Sequence, residues 1–157
     1  MNKMLKIIAS TLLILSLAAC GGGSSNSSSA PATPSWETTS GSDAVTKLQV
    51  IDNTVGTGAT AAAGNNVTVN YTGWLYQSGA ANFEGPEFGA STSPFGFALG
   101  TGQVIAGWDQ GLVGMKVGGT RTLIIPSALG YGPTGNGPIP GGAALVFTVQ
   151  LVSATAP

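Results

Sequence analysis

Residues 104–115 read Val104-Ile105-Ala106-Gly107-Trp108-Asp109-Gln110-Gly111-Leu112-Val113-Gly114-Met115. In this stretch Ile105, Trp108, Leu112 and Met115 recur at i, i+3, i+7 and i+10, the spacing of one helical face. No other part of the chain's last 110 or so residues offers that period. Around it the sequence alternates with period two. Thr46–Asp52 and Asn66–Tyr76 read as strands, the second rich in Val, Thr, Tyr and Trp. Phe95–Leu99, Thr120–Ile125 and Leu145–Val152 alternate in the same way, with Leu145, Phe147, Val149 and Leu151 on one face. Gly56-Thr57-Gly58, Gly118-Gly119 and Gly141-Gly142 mark turns. One short helix against an antiparallel sheet predicts an α+β domain from about Ala44 to Ser153.

Ahead of that domain the composition changes. Lys3 and Lys6 precede a thirteen-residue apolar run, Ile7 to Ala19, the plan of a secretory signal and too short for a comfortable membrane span of about 20 residues. The run ends Leu17-Ala18-Ala19-Cys20, which resembles the bacterial lipobox and holds the chain's only cysteine. The resemblance implies residues 1–19 as signal peptide, lipidation of Cys20 and anchoring to a membrane. Gly21 in place of an aspartate favours the outer membrane facing the periplasm, within a bacterial cell envelope. Residues 21–35, GGGSSNSSSAPATPS, have nothing to bury, so 20–43 reads as a flexible Gly/Ser/Pro linker with an r.m.s. reach of roughly 25–29 Å. The domain is assigned to 44–157.

Composition excludes more chemistry than it suggests. There is no histidine, so no Ser-His-Asp triad, Cys-His pair or common zinc site is available. One cysteine forms neither an internal disulfide nor a CxxC pair. Charged residues make up 7% of the chain, against about 25% in an ordinary soluble protein. From Cys20 onward Lys47, Lys116 and Arg121 stand against Glu37, Asp43, Asp52, Glu84, Glu87 and Asp109, a net charge of −3 that argues against nucleic acid as partner. Glu84 and Glu87 flank Gly85-Pro86 and read as solvated loop residues rather than an acid/base pair.

Several segments taken in order resemble the FKBP-type peptidyl-prolyl cis-trans isomerases. They are Val69-Asn70-Tyr71-Thr72-Gly73-Trp74-Leu75, Pro94-Phe95-Gly96-Phe97, Gln103-Val104-Ile105-Ala106-Gly107-Trp108-Asp109-Gln110-Gly111, Met115-Lys116-Val117-Gly118, Ile125-Pro126, Gly130-Tyr131-Gly132, Ile139-Pro140 and Leu145-Val146-Phe147. The resemblance implies a half-open antiparallel β-sheet wrapped around one short α-helix. It implies isomerisation of Xaa-Pro bonds without metal or cofactor, acting on proline-containing peptides and unfolded exported proteins, with macrolides as further ligands. In the site it implies, Trp108 is the floor beneath the proline ring, and Tyr71, Phe95, Val104, Ile105 and Phe147 are walls. The Ile105 backbone N–H and the Tyr131 hydroxyl would donate to substrate carbonyls, and Ile139 would close the rim on the loop Gly132–Gly142. Without the resemblance these aromatics read as ordinary core.

One position departs from the pattern. The family usually carries a Phe-Asp pair, then Ser-Ser and an arginine, before the Pro-Phe-x-Phe strand. The better register here is Phe88-Gly89-Ala90-Ser91, with Phe88 in the site and glycine where the aspartate would stand; a second would use Phe83-Glu84. The missing carboxylate leaves a second function open, a weakly catalytic or inactive module that binds proline-containing or unfolded chains. A third is a surface lipoprotein for adhesion or scaffolding.

Overall fold

The computed structural model describes residues 40–157. The signal segment, Cys20 and the linker as far as residue 39 lie outside the described residues. Six strands form one antiparallel sheet: β1 (Gln49–Thr54), β2 (Asn66–Tyr76), β3 (Glu84–Ala90), β4 (Phe95–Ala98), β5 (Thr120–Ile125) and β6 (Leu145–Thr155). A single α-helix among the described residues, α1 (Ala106–Gly111), lies against it. The order across the sheet is β1-β5-β6-β2-β3, with β4 also on β2. The α+β reading is thus correct, and so is the half-open sheet around one helix.

The long strands β2 and β6 make the spine, paired from Asn66↔Thr155 to Leu75↔Leu145. Period-two alternation puts Val69, Tyr71, Gly73 and Leu75 on one face, opposite Leu151, Val149, Phe147 and Leu145. β5 continues that face with Leu123 and Ile125. Trp108, Leu112 and Met115 pack onto it in one core cluster. A smaller cluster on the opposite face joins Val45, Tyr76, Ile124, Ala144 and Val146.

The helix comes unusually near the sheet because Gly107 and Gly111, four residues apart, share its inner face. A Cβ on Gly107 would stand 2.5 Å from Ile125 Cγ2, and one on Gly111 2.7 Å from Leu123 Cδ2. Ile125 and Leu123 are fully buried, so neither has room to retreat. Gly107→Ala therefore costs about 1–3 kcal/mol of overpacking, which outweighs a helix-propensity gain of about 1 kcal/mol. The chemical denaturation midpoint should fall; a raised midpoint would show that the helix is free to move outward.

Several boundaries differ from the sequence reading. The helix covers 106–111 rather than 104–115, since Val104 and Ile105 remain extended before it (Ile105 φ −59°, ψ 145°) and Gly114 turns left-handed after it (φ 81°). β1 lies a few residues later than Thr46–Asp52, and β6 runs on to Thr155. The folded region begins before Ala44: Ser42 is buried, and the Ser40 carbonyl accepts from the Ser78 N–H. Finally, Glu84 and Glu87 are not in a loop but on β3. That strand tolerates Gly85 and Pro86 because it is an edge strand, where a missing N–H costs no ladder bond.

Candidate functional site

β3 and β4 lie along the same edge of β2, one after the other. β4 pairs Phe95–Ala98 with Asn66–Val69, and β3 pairs with Thr72–Tyr76. Ser91 fills the gap between them: its Oγ accepts from the Tyr71 N–H at 2.9 Å, and its own N–H donates to the Tyr71 carbonyl at 2.9 Å. Tyr71 is thereby held at the break. Within β3, Gly73 pairs with Gly89 while Trp74 pairs with Glu87, so Phe88 is the extra residue of a bulge. The bulge lets consecutive residues Phe88 and Gly89 line the same cleft. Phe88 then meets Phe147 edge-to-face across Gly73, centroids 5.4 Å apart; a Cβ on Gly73 would lie 2.7 Å from both rings.

The cleft between this edge, the helix and the loop after β5 has a volume of about 570 Å³. It brings together all nine residues proposed from the sequence: Tyr71, Phe88, Phe95, Val104, Ile105, Trp108, Tyr131, Ile139 and Phe147. Of the two phenylalanines weighed for the Phe-Asp pair, Phe88 lines the cleft. Phe83 instead stacks on Tyr76, at 5.4 Å and 12° between planes. Gln103, Asn136, Gly137 and Pro138 also line the cleft and were not singled out as site residues. Their signal in the sequence was position: Gln103 opens the helix motif, and the other three sit in the loop already assigned to the rim.

Trp108 sits at the base, 4% exposed. Its ring meets Tyr71 at 5.1 Å and Phe147 at 5.2 Å, both edge-to-face, with Phe97 behind it at 5.8 Å. Such pairs contribute about 0.5–1.5 kcal/mol each beyond burial, which makes the base rigid. The Trp108 Nε1–H is buried with no hydrogen-bond partner among the described residues.

The helix and the turn before it are fixed from both ends. Asp109 accepts from the Gly100 N–H with Oδ1 and from the Gly102 N–H with Oδ2, each at 2.8 Å, and both glycines are left-handed. Gln103 Oε1 accepts from the Ala98 N–H at 3.1 Å. These bonds deliver Val104 and Ile105 to the cleft, with the Ile105 N–H left without a partner among the described residues. At the far end the buried Arg121 donates from Nη1 to the carbonyls of Gly111 (2.7 Å) and Val113 (3.3 Å). Its Nε donates to Asp52 Oδ1 at 2.7 Å.

On the opposite wall Tyr131 follows a short turn, Ser127–Leu129. Partial burial, and to a lesser degree the neighbouring Tyr71, push its hydroxyl above the ordinary value of 10.0, so it stays a donor at neutral pH. Neither phenol hydroxyl has a partner among the described residues. Asn136 and Ile139 bond each other's backbone in both directions at 2.9 Å, flanked by left-handed Gly135 and Gly137; this tight turn seats Ile139, 5% exposed, in the rim. No ionised side chain lines the cleft. Among the described residues there is also no group of three or more His, Cys, Asp or Glu that could hold a metal.

Residues 58–152 match the model of the family described as FKBP-type peptidyl-prolyl cis-trans isomerase. The chain belongs to that family. The FK506-binding protein of Streptomyces anulatus is 46% identical over 111 residues, 68% of this chain and 85% of that protein. Peptidyl-prolyl cis-trans isomerase FKBP2 of Homo sapiens is 53% identical over 93 residues, which cover 57% of this chain and 61% of the human protein's length. Among solved structures, a peptidyl-prolyl cis-trans isomerase from Pseudomonas syringae superposes with a TM-score of 0.59 at 34% identity, over 69% of this chain and 75% of that one. Within this FKBP-type domain, Gly89 is the departure that the geometry makes visible. Its position is on the cleft wall, and a Cβ there would meet nothing within 4 Å.

Proposed function

We propose that the chain is a peptidyl-prolyl cis-trans isomerase that binds Xaa-Pro segments in this cleft. The observation that carries the reading is an uncharged aromatic cavity lined by Trp108 and by two donors without a partner among the described residues, the Ile105 N–H and the Tyr131 hydroxyl. The Xaa-Pro bond interconverts over a barrier of about 18–20 kcal/mol because twisting removes amide resonance. No covalent bond breaks, so neither nucleophile nor proton transfer is required. The planar amide is more dipolar than the twisted one, and an apolar cavity disfavours it in relative terms. The proline ring lies on Trp108 between Tyr71, Phe95, Val104, Ile105 and Phe147, while the two donors hold flanking carbonyls in a turn. Each 1.36 kcal/mol of differential stabilisation is tenfold in rate.

The proposed clients are unfolded proteins exported to the cell envelope, and macrolides are proposed as competing ligands. Lys3, Lys6, the apolar run and Leu17-Ala18-Ala19-Cys20 support a lipoprotein anchored through Cys20, with Gly21 favouring the outer membrane. Gly89 favours a second reading, a peptide-binding module with weak turnover. The two separate in refolding of a protein whose slow phase is prolyl isomerisation. Catalytic amounts of the isomerase accelerate that phase, whereas a binding module acts only at stoichiometric amounts or slows it. Cys20→Ser abolishes acylation and releases the chain from membranes if the anchor reading is right; retained membrane attachment would contradict it.

The pH profile follows from the lining. Apart from Tyr71 and Tyr131 the cleft holds no titratable side chain, so kcat/KM is flat from about pH 5 to 9. The raised Tyr131 value means the fold favours the neutral phenol. Its share of stability is complete below pH 10.0 and is lost as pH rises through the higher folded value. A bell-shaped profile centred near neutrality would point to a group outside this cleft.

A further inference from the structure

We infer that Asn136-Gly137, on the rim of the cleft, is a site of self-modification: the Asn136 amide is lost as ammonia, and a carboxylate takes its place, part of it as isoaspartate. The chemistry belongs to this chain alone. Its effect on turnover rests on the reading of the cleft as the peptide site.

Asn136 is the one asparagine of the chain that is followed by glycine. Asn53, Asn66, Asn70 and Asn82 precede Thr54, Val67, Tyr71 and Phe83, whose side chains crowd the backbone nitrogen that would have to attack. Glycine leaves that nitrogen open. The fold adds access. Asn136 and Gly137 are both exposed, and neither the Asn136 carboxamide nor the Gly137 N–H has a partner among the described residues. Elsewhere the amide is tied: Asn53 Nδ2 donates to Thr122 Oγ1 at 2.9 Å, and Asn70 Nδ2 to Gln150 Oε1 at 3.3 Å. The two bonds that close the rim turn engage only the backbone N–H and carbonyl of Asn136, so both reacting groups stay free. The bond from the Ile139 N–H to the Asn136 carbonyl also polarises the peptide unit it shares with Gly137, which eases removal of the Gly137 proton.

Hydroxide takes that proton as water. The Gly137 nitrogen then bonds to Asn136 Cγ, the Cγ–Nδ2 bond breaks, and ammonia leaves with a proton from water, which closes a five-membered imide and regenerates hydroxide. Water opens the ring in one of two ways. Hydrolysis at Cγ gives aspartate in the original main chain. Hydrolysis at the backbone carbonyl carbon gives isoaspartate, with the chain running through Cγ and the α-carboxylate free. Either product puts a negative charge on a residue of a cleft that has no ionised side chain. Isoaspartate also lengthens the main chain by one atom, which displaces the carbonyl that the Ile139 N–H meets and unseats Ile139 from the rim.

The test warms the full chain in mildly alkaline buffer and maps its peptides by mass at intervals. Isomerisation of an uncharged proline tetrapeptide is read on the same samples. The peptide that holds Asn136-Gly137 is expected to gain one mass unit at least tenfold faster than those holding Asn53, Asn66, Asn70 or Asn82, and to split into aspartyl and isoaspartyl forms. The kcat/KM falls in step, at least threefold by full conversion. Asn136→Gln, whose amide lies a methylene further from the Gly137 nitrogen, keeps its own starting mass and activity through the same incubation. Conversion at Asn136 no faster than at the other asparagines overturns the site. Full conversion with kcat/KM unchanged, or an equal loss in Asn136→Gln, overturns its effect on the rim and leaves the isomerase reading intact. If the fresh chain isomerises nothing, the isomerase reading fails while the mass map still decides the modification. Tryptophan-fluorescence titration with the tetrapeptide then reads the rim: binding at least threefold weaker after conversion is expected, and unchanged binding overturns the effect.

Discussion

Trp108→Leu lowers kcat/KM for an Xaa-Pro peptide by at least tenfold while the domain stays folded. The activity loss follows from geometry: the indole forms the base of the cleft, and leucine offers neither its flat area nor its rigidity. Tenfold corresponds to 1.36 kcal/mol of transition-state stabilisation, a modest demand on the residue proposed to lie beneath the proline. The stability cost is the balance of two opposed effects. Three aromatic contacts, with Tyr71, Phe97 and Phe147, are lost together with packing volume, about 2–4 kcal/mol. Against this, the variant no longer buries an unpartnered Nε1–H, which offsets about 1–3 kcal/mol. The net loss is about 1 kcal/mol, small beside a domain stability of about 5–15 kcal/mol. Circular dichroism melts beside the isomerisation rate separate the two effects. Full activity in a folded Trp108→Leu chain would remove Trp108 from the site.

The largest effect on stability is expected at Arg121, far from the cleft. Arg121 is 8% exposed, and its Nη1 meets the last carbonyls of the helix, positive charge at the negative end of the dipole. Arg121→Met keeps much of the stem's volume but leaves the Gly111 carbonyl buried without a donor. We expect a loss of about 2–4 kcal/mol, or a Tm lower by about 10 °C. Asp52 contributes far less. Its side chain is 45% exposed, so water replaces the arginine, and Asp52→Asn costs under about 1 kcal/mol. Equal losses in the two variants would show that the ion pair, rather than the helix cap, is what matters.

Much of this was legible in the sequence where a strand shows a clean alternation on a buried face. β2 and β5 have the boundaries their patterns indicate, and the nine site residues proposed from motifs meet in one cleft. What stayed hidden depends on partners distant in the chain. β3 carries glycine, proline and two glutamates, and becomes a strand only because β2 offers it an edge. Ile105–Met115 has helical spacing throughout, but Gly114 and the Arg121 cap end the helix early. In the sequence Arg121 enters only as one of three cations in the charge sum; nothing near it shows that the helix end will lie over its strand. The rim is a similar case. Ile139 was placed on it by motif, whereas Asn136, Gly137 and Pro138 reach the cleft through a tight turn that only the left-handed glycines betray.

The central claim is that this uncharged cleft catalyses prolyl isomerisation. Protease-coupled isomerisation of a proline tetrapeptide by the full chain, with Trp108→Leu alongside, tests it most directly. The expected result is an acceleration proportional to enzyme concentration that the variant loses by at least tenfold. An uncatalysed rate with the wild-type chain, or an acceleration that Trp108→Leu leaves untouched, would contradict it.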